Sequence, residues 1–171
     1  MTELKKRLTA ETEKLLNERI TNEMLSSLIY DNMSNYCGSV GLFKAQDKYK
    51  QYADEERTHM RKLQDYIIDR NCCPELNVTY TNCKYTSLLD TLEKAYIHEC
   101  SITKAYVDIS TVIRNSKDEV TYNFLLWFVH EQIEEEAKFA DTLQQAKLLG
   151  ITDDTCCKGI ELMKLEKLFA S

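Results

Sequence analysis

Apolar residues recur at alternating spacings of three and four along four long stretches of this chain, the period of a helix with one buried face. The pattern predicts helices over about 2–36, 42–70, 88–114 and 117–149, with a short fifth helix over 154–169. Breaks separate them at Cys37-Gly38-Ser39-Val40-Gly41, at a segment 71–87 holding the only proline (Pro74), at Asn115-Ser116, and at Gly150, placed as a helix-ending glycine. Thr152-Asp153-Asp154 offers an N-cap for the fifth helix. Helices one and two, and three and four, are joined so tightly that each pair must be antiparallel neighbours. A helix over 42–70 is about 43 Å long at about 1.5 Å per residue. The segment 71–87 can stretch to about 56 Å, enough to run the length of such a helix and bring the chain back parallel to helix two. The expectation is an all-α four-helix bundle with one long crossover and a short C-terminal helix.

Composition supports that class and narrows the partners. A length of 171 residues suits one domain spanning 1–171. One Pro and four Gly are too few for a sandwich or barrel, and 43% hydrophobic residues exclude an unfolded polyelectrolyte. With 22 basic against 28 acidic residues the net charge is −6, which argues against nucleic acid and for a cation as partner. No apolar run approaches the roughly 20 residues of a membrane span, and the charged opening Met-Thr-Glu-Leu-Lys-Lys-Arg-Leu lacks the apolar core of a signal peptide. Seven Cys (37, 72, 73, 83, 100, 156 and 157) show no CxxC and no zinc-finger spacing. They read as reduced thiols of a cytoplasmic protein, with a redox or soft-metal role at Cys72, Cys73 and Cys83 as the alternative.

The core stripes carry the chemistry. Helix one gives Leu16, Ile20, Glu23, Ser27 and Tyr30; helix two gives Tyr49, Tyr52, Glu56, His59, Leu63 and Tyr66. Helix three gives Leu88, Leu92, Ala95, Glu99, Ile102, Tyr106, Ile109 and Ile113. Helix four gives Leu125, Phe128, Gln132, Glu135, Phe139, Thr142, Ala146 and Leu149. Each stripe places one Glu near its middle. Burying a carboxylate without a partner costs several kcal/mol, and converging carboxylates repel, so a metal ion between them resolves both problems. Glu56 and His59 at i and i+3 share one helix face, as do Gln132 and Glu135. Di-iron bundles use a Glu from each of two helices and a Glu-x-x-His from each of the other two. This chain fits on three helices and departs on the fourth, where Lys138 stands in place of the second His. Tyr30, on the same seam, is core filler or a phenol that can donate a proton or an electron beside a metal. Glu55, Glu131 and Glu134 flank the inward residues as a further metal site or a solvated acidic face, while Glu136 reads as solvated, and His98 and His130 as surface or supporting groups.

At these residues the sequence resembles the bacterial-type non-haem ferritins. The matching strings are Asn22-Glu23 with Ser26-Ser27-Leu28-Ile29-Tyr30, Glu55-Glu56-Arg57-Thr58-His59-Met60, His98-Glu99, and Phe124 through Glu136. The resemblance covers essentially the whole chain and implies a ferritin-like bundle with a ferroxidase centre. Glu23, Glu56 and His59 would hold the first iron, with Glu56 bridging; Glu99, Gln132 and Glu135 would hold the second. Glu55, Glu131 and Glu134 would contribute to a third site, Tyr30 matches the tyrosine beside the centre, and Trp127 a tryptophan close to it. Two irons per centre, Fe(II) and dioxygen or hydrogen peroxide as substrates, and a hollow homo-oligomeric shell of twenty-four subunits follow from the same resemblance. Arg57 stands where bacterioferritin has its haem-ligating Met, so no haem is expected. Shell assembly would draw on apolar faces outside the four seams and on the fifth helix at Leu162, Leu165 and Phe169, and Asp118 and Glu119 read as an acidic iron entry or equally as a solvated N-terminal turn favoured by the helix dipole. Two rival readings differ in kind: a ferritin-like di-iron oxidase or peroxidase that stores no mineral, and a metal-free helical interaction module.

Overall fold

A computed structural model of the chain describes residues 5–152 and 159–169. Its elements are α1 (Ala10–Ser39), α2 (Phe43–Asp69), α3 (Leu88–Asn115), α4 (Glu119–Leu148) and α5 (Gly159–Leu168), with no strand among the described residues. Among the described residues no helix is long and apolar enough to cross a membrane. The chain divides into two units, Met1–Lys84 with α1 and α2, and Tyr85–Ser171 with α3, α4 and α5.

In the first unit α1 starts at Ala10, later than the periodicity predicts. Thr9 is the reason: its backbone is extended and its side chain accepts a hydrogen bond from the Thr12 N–H at 3.1 Å, a capping contact that fixes the first turn. Residues 5–8 form a strap instead. The Arg7 N–H donates to the Arg70 carbonyl (2.9 Å), the Asn71 side chain donates to the Lys5 carbonyl (3.1 Å), and Leu8 is buried. At the other end α1 runs through Cys37 to Ser39, where a turn was expected, and the reversal falls on Val40, Gly41 and Leu42. Gly41 has φ +83, a left-handed conformation that costs glycine nothing. The Ser34 hydroxyl donates to the Gln46 carbonyl at 2.9 Å and sets the antiparallel register of the hairpin.

The connection after α2 climbs back along α1. The Glu75 N–H donates to Asn17 Oδ1 at 2.8 Å. Further on, burial first and then neighbouring Cys83 and Asp31 push the Tyr80 phenol above its ordinary pKa. Asn17 to Asp31 is about 21 Å along a helix, so the loop traverses much of the hairpin, as its length predicts.

In the second unit Ser87 caps α3 by accepting from the Asp90 N–H (2.9 Å), and Asp118 caps α4 by accepting from the Thr121 N–H (3.0 Å). That cap moves the start of α4 to Glu119 from the predicted 117, where Lys117 has φ +62. Gly150 ends α4 as expected: it has φ +70, its N–H reaches the Lys147 carbonyl, and the Ile151 N–H reaches that of Ala146, the paired bonds of a Schellman motif. Asp153 and Asp154 of the expected fifth-helix cap, like Cys156 and Cys157, lie outside the described residues. Helix α5 contacts α3 and α4, with Leu165 and Phe169 buried and Leu162 half-buried. That corrects the expected assembly face, because these side chains are used inside the chain's own unit. The apolar residues α5 exposes are Ile160 and Met163.

The expected core holds with local exceptions. All five stripe residues of α1 and all eight of α3 are buried. On α2, Ala53 and Ile67 occupy core positions while Tyr52 and Tyr66 are half-buried. On α4, Thr142 is half-buried and Leu149 exposed. Tyr52 and Tyr66 thus keep part of their rings at the surface while Ala53 and Ile67 take the inner places, whereas Tyr30, Tyr49 and Tyr106 are fully buried.

Candidate metal centre

The hairpin register brings three ligand-type side chains together in the first unit. Tyr30 to Glu23 on α1 and Tyr49 to Glu56 on α2 are each two helical turns, so tyrosines face tyrosines at one level and acids face acids at the next. Glu23 is 0% exposed, Glu56 3% and His59 5%. His59 Nδ1 lies 3.4 Å from Glu56 Oε2 and 3.6 Å from Glu23 Oε2, and all three residues offer ligand atoms within 4.8 Å of one another. Carboxylate oxygens with one imidazole nitrogen suit a divalent first-row metal such as Fe(II).

The second unit carries its own buried set. Glu99 and Gln132 are each 1% exposed and Glu135 6%. Gln132 Nε2 donates to Glu99 Oε2 at 2.8 Å, a charge-assisted bond that uses the amide NH2 and leaves the carbonyl oxygen as the only ligand Gln132 can offer. Glu99 and Glu135 present carboxylate oxygens within 4.8 Å of one another, and so do Glu131 and Glu135. The other flanking acids stand further out: Glu131 is half-buried, whereas Glu55 and Glu134 are exposed. His130 is exposed, His98 and Glu136 half-buried, and Trp127 is 38% exposed with its ring edge-on to Phe128 at 4.8 Å. A surface groove lined by Lys6, Glu13, Asn17 and Glu75 among others includes none of the buried ligand-type residues. An ion among converging side chains needs no open cavity.

Two features next to the ligands escaped the sequence reading. Arg57 pairs with Asp31 across the hairpin and with Asp54 at 2.8 Å, tying α2 to α1 beside Glu56 and Tyr30. The Asp54-x-x-Arg57 spacing was its only sequence signal. The second feature is that Tyr49 and Tyr52 gather on Tyr30, with ring centroids 6.1 Å and 5.7 Å from it. Among the described residues, Cys37, Cys72, Cys73, Cys83 and Cys100 form no disulfide.

Comparison with known proteins identifies the family. The family model described as a Ferritin-like domain matches residues 13–149. The chain is 39% identical to the bacterial non-heme ferritin of Campylobacter jejuni over 144 residues, 84% of this chain and 86% of that one. It is 34% identical to that of an Escherichia coli O6:H1 strain, over 84% of this chain and 87% of that one. An open-pore ferritin from the archaeon Archaeoglobus fulgidus superposes with a TM-score of 0.86 at 28% identity, covering 97% of this chain and 98% of its own. The fold is thus the expected ferritin-like four-helix bundle with a short C-terminal helix. The chain belongs to the ferritin family, among the bacterial non-haem ferritins.

Proposed function

We infer that this protein oxidises Fe(II) to Fe(III) and stores iron, the activity of the family to which it belongs. The observation that carries the reading is the buried Glu23–Glu56–His59 cluster, an acid-rich set that a soluble core does not keep without a cation to hold. In this reading Glu23, Glu56 and His59 hold one Fe(II) and Glu99, Gln132 and Glu135 a second, with Glu56 bridging the two. Glu55, Glu131 and Glu134 contribute to a third site.

Fe(II) is the substrate, and dioxygen or hydrogen peroxide takes its electrons. Hard carboxylate oxygens bind Fe(III) more strongly than Fe(II), so the ligand set favours the oxidised product. Neutral His59 supplies one nitrogen without adding charge. The Gln132–Glu99 hydrogen bond holds that carboxylate in one orientation across turnovers. Tyr30 stands ready to give an electron or a proton. Arg57, where a haem-ligating Met would be needed, is engaged with Asp31 and Asp54, which fits a haem-free protein. The product is stored as ferric mineral inside a shell of twenty-four subunits in the cytoplasm.

Assembly separates storage from oxidation alone. Light scattering on the purified protein is expected to give about twenty-four times the 20.0 kDa chain mass. Micrographs after aerobic iron loading should then show one electron-dense core per particle. A monomer or dimer that oxidises Fe(II) without forming a core would make the protein a non-storing di-iron oxidase.

A further inference from the structure

Two thiols stand side by side at the end of α2 and take no part in the iron centre. Cys72 follows directly on the helix end: its N–H donates to the Ile67 carbonyl at 3.1 Å, and Asn71 before it turns left-handed at φ +55. Cys72 is half-buried and Cys73 exposed. Each sulfur makes only a weak contact with a nearby carbonyl, Cys72 Sγ with that of Arg70 at 3.6 Å and Cys73 Sγ with that of Pro74 at 3.8 Å. The strap 5–8 brings a cation to the pair. Asn71 donates to the Lys5 carbonyl, the Arg7 N–H donates to the Arg70 carbonyl at 2.9 Å, and the Arg70 guanidinium donates to the Arg7 carbonyl at 3.3 Å. The backbone of Lys6 is therefore held between two anchored neighbours. Glu13 first, with a smaller push from Cys72 and Cys73, raises the Lys6 ammonium above its ordinary pKa.

Adjacent thiols can close on each other or hold an ion, and distance decides between the two. Consecutive Cα atoms are about 3.8 Å apart, short of the roughly 4.4–6.8 Å usual in a disulfide, so closing the pair strains the chain. An ion between the sulfurs lets them stand further apart and removes that strain. The number of ligands then selects the ion. Among the described residues neither thiol belongs to a group of three or more metal-capable side chains. The connection carries Cys83 away to Tyr80 and Asp31, about 21 Å along α1 from the contact of Glu75 with Asn17. Zn(II) takes four ligands and Fe(II) prefers oxygen and nitrogen, whereas soft Cu(I) is satisfied by two sulfurs.

We propose that Cys72 and Cys73 bind one Cu(I) ion as a two-coordinate bis-thiolate, with Lys6 as its counter-ion. Binding releases the two thiol protons and leaves copper in the same oxidation state. Two thiolates outweigh one monovalent cation, so the complex is an anion, and the Lys6 ammonium offsets its charge. The weak sulfur contacts with the Arg70 and Pro74 carbonyls cost little to give up. The hairpin thus keeps two kinds of ion apart, a soft one at the thiols on its end and a hard one at the carboxylates in its core.

Cys156 and Cys157 are a second adjacent pair, so the full-length Cys156→Ser/Cys157→Ser protein serves as the reference. Cu(I) is titrated anaerobically in competition with a chromophoric Cu(I) chelator. The reference should take up one Cu(I) per chain more than the same protein carrying Cys72→Ser/Cys73→Ser, and X-ray absorption should show two sulfur neighbours on that copper. Lys6→Gln should weaken this binding by about two- to fivefold, the range of one exposed charge pair, and Lys6→Arg should keep it. Thermal unfolding of the metal-free proteins, unchanged by the serine substitutions, separates loss of ligands from loss of fold. Equal Cu(I) uptake with and without the two thiols would overturn the site. Three or four sulfur neighbours on the copper would overturn its two-coordinate form.

Discussion

Replacing Glu56 by Ala should slow the fast phase of aerobic Fe(II) oxidation by at least about 100-fold, since loss of groups that merely support a metal's ligands already costs 10- to 100-fold. Glu56 is the acid closest to His59 in the first cluster, at 3.4 Å, and the proposed function makes it an iron ligand. Its removal would take a carboxylate from that cluster. Stopped-flow absorbance of the ferric product in the near ultraviolet reads the effect directly. The variant should still fold and assemble, because Glu56 contributes charge to a crowded site and little apolar packing. A variant that keeps the wild-type fast phase would move the chemistry elsewhere.

The second large effect has the opposite sign in the metal-free protein. Replacing Glu23 and Glu56 together by Leu should leave the metal-free protein as stable as the wild type or up to about 4 kcal/mol more stable, because well-packed apolar side chains commonly match or exceed buried charged groups. Both carboxylates are almost fully buried, and each Leu fills a comparable volume. Thermal unfolding of both proteins at equal concentration in a chelator measures the difference. Fe(II) or Zn(II) should raise the wild-type midpoint and leave that of the variant much less affected, since only the wild type binds the ion at this cluster. A double variant several kcal/mol less stable than the metal-free wild type would mean the acids hold the hairpin together themselves. The same set of residues would then be structural.

Much of this architecture was legible because one buried face repeats over many turns. The stripes of α1 and α3 hold in full, and with them the burial of Glu23 and Glu99; the middle turns of α2 and α4 hold as well and bury Glu56, His59, Gln132 and Glu135. Gly150 declared itself because a glycine after a long periodic run has a specific conformational use. What failed was local competition. The charged residues before Thr9 keep a helical rhythm, but the Thr9 cap and the hydrogen bonds of Lys5 and Arg7 to the end of α2 fix that stretch as a strap. Periodicity could not choose between Tyr52 and Ala53 for the innermost position, since both fall within the same stripe. Nor could it tell whether the apolar face of α5 packs within the chain or outside it. The Arg57–Asp31 pair joins residues on different helices, which no local pattern encodes. Among the flanking acids, spacing alone could not separate half-buried Glu131 from exposed Glu55 and Glu134.

The central claim is that the buried acids bind two Fe(II) ions and oxidise them together. An aerobic Fe(II) titration of the metal-free protein, with ferric absorbance followed in time, tests it most directly. The account predicts a fast phase whose amplitude breaks at about two to three irons per chain, followed by slower growth. Oxidation no faster than in protein-free buffer, with no break at any iron load, would contradict it.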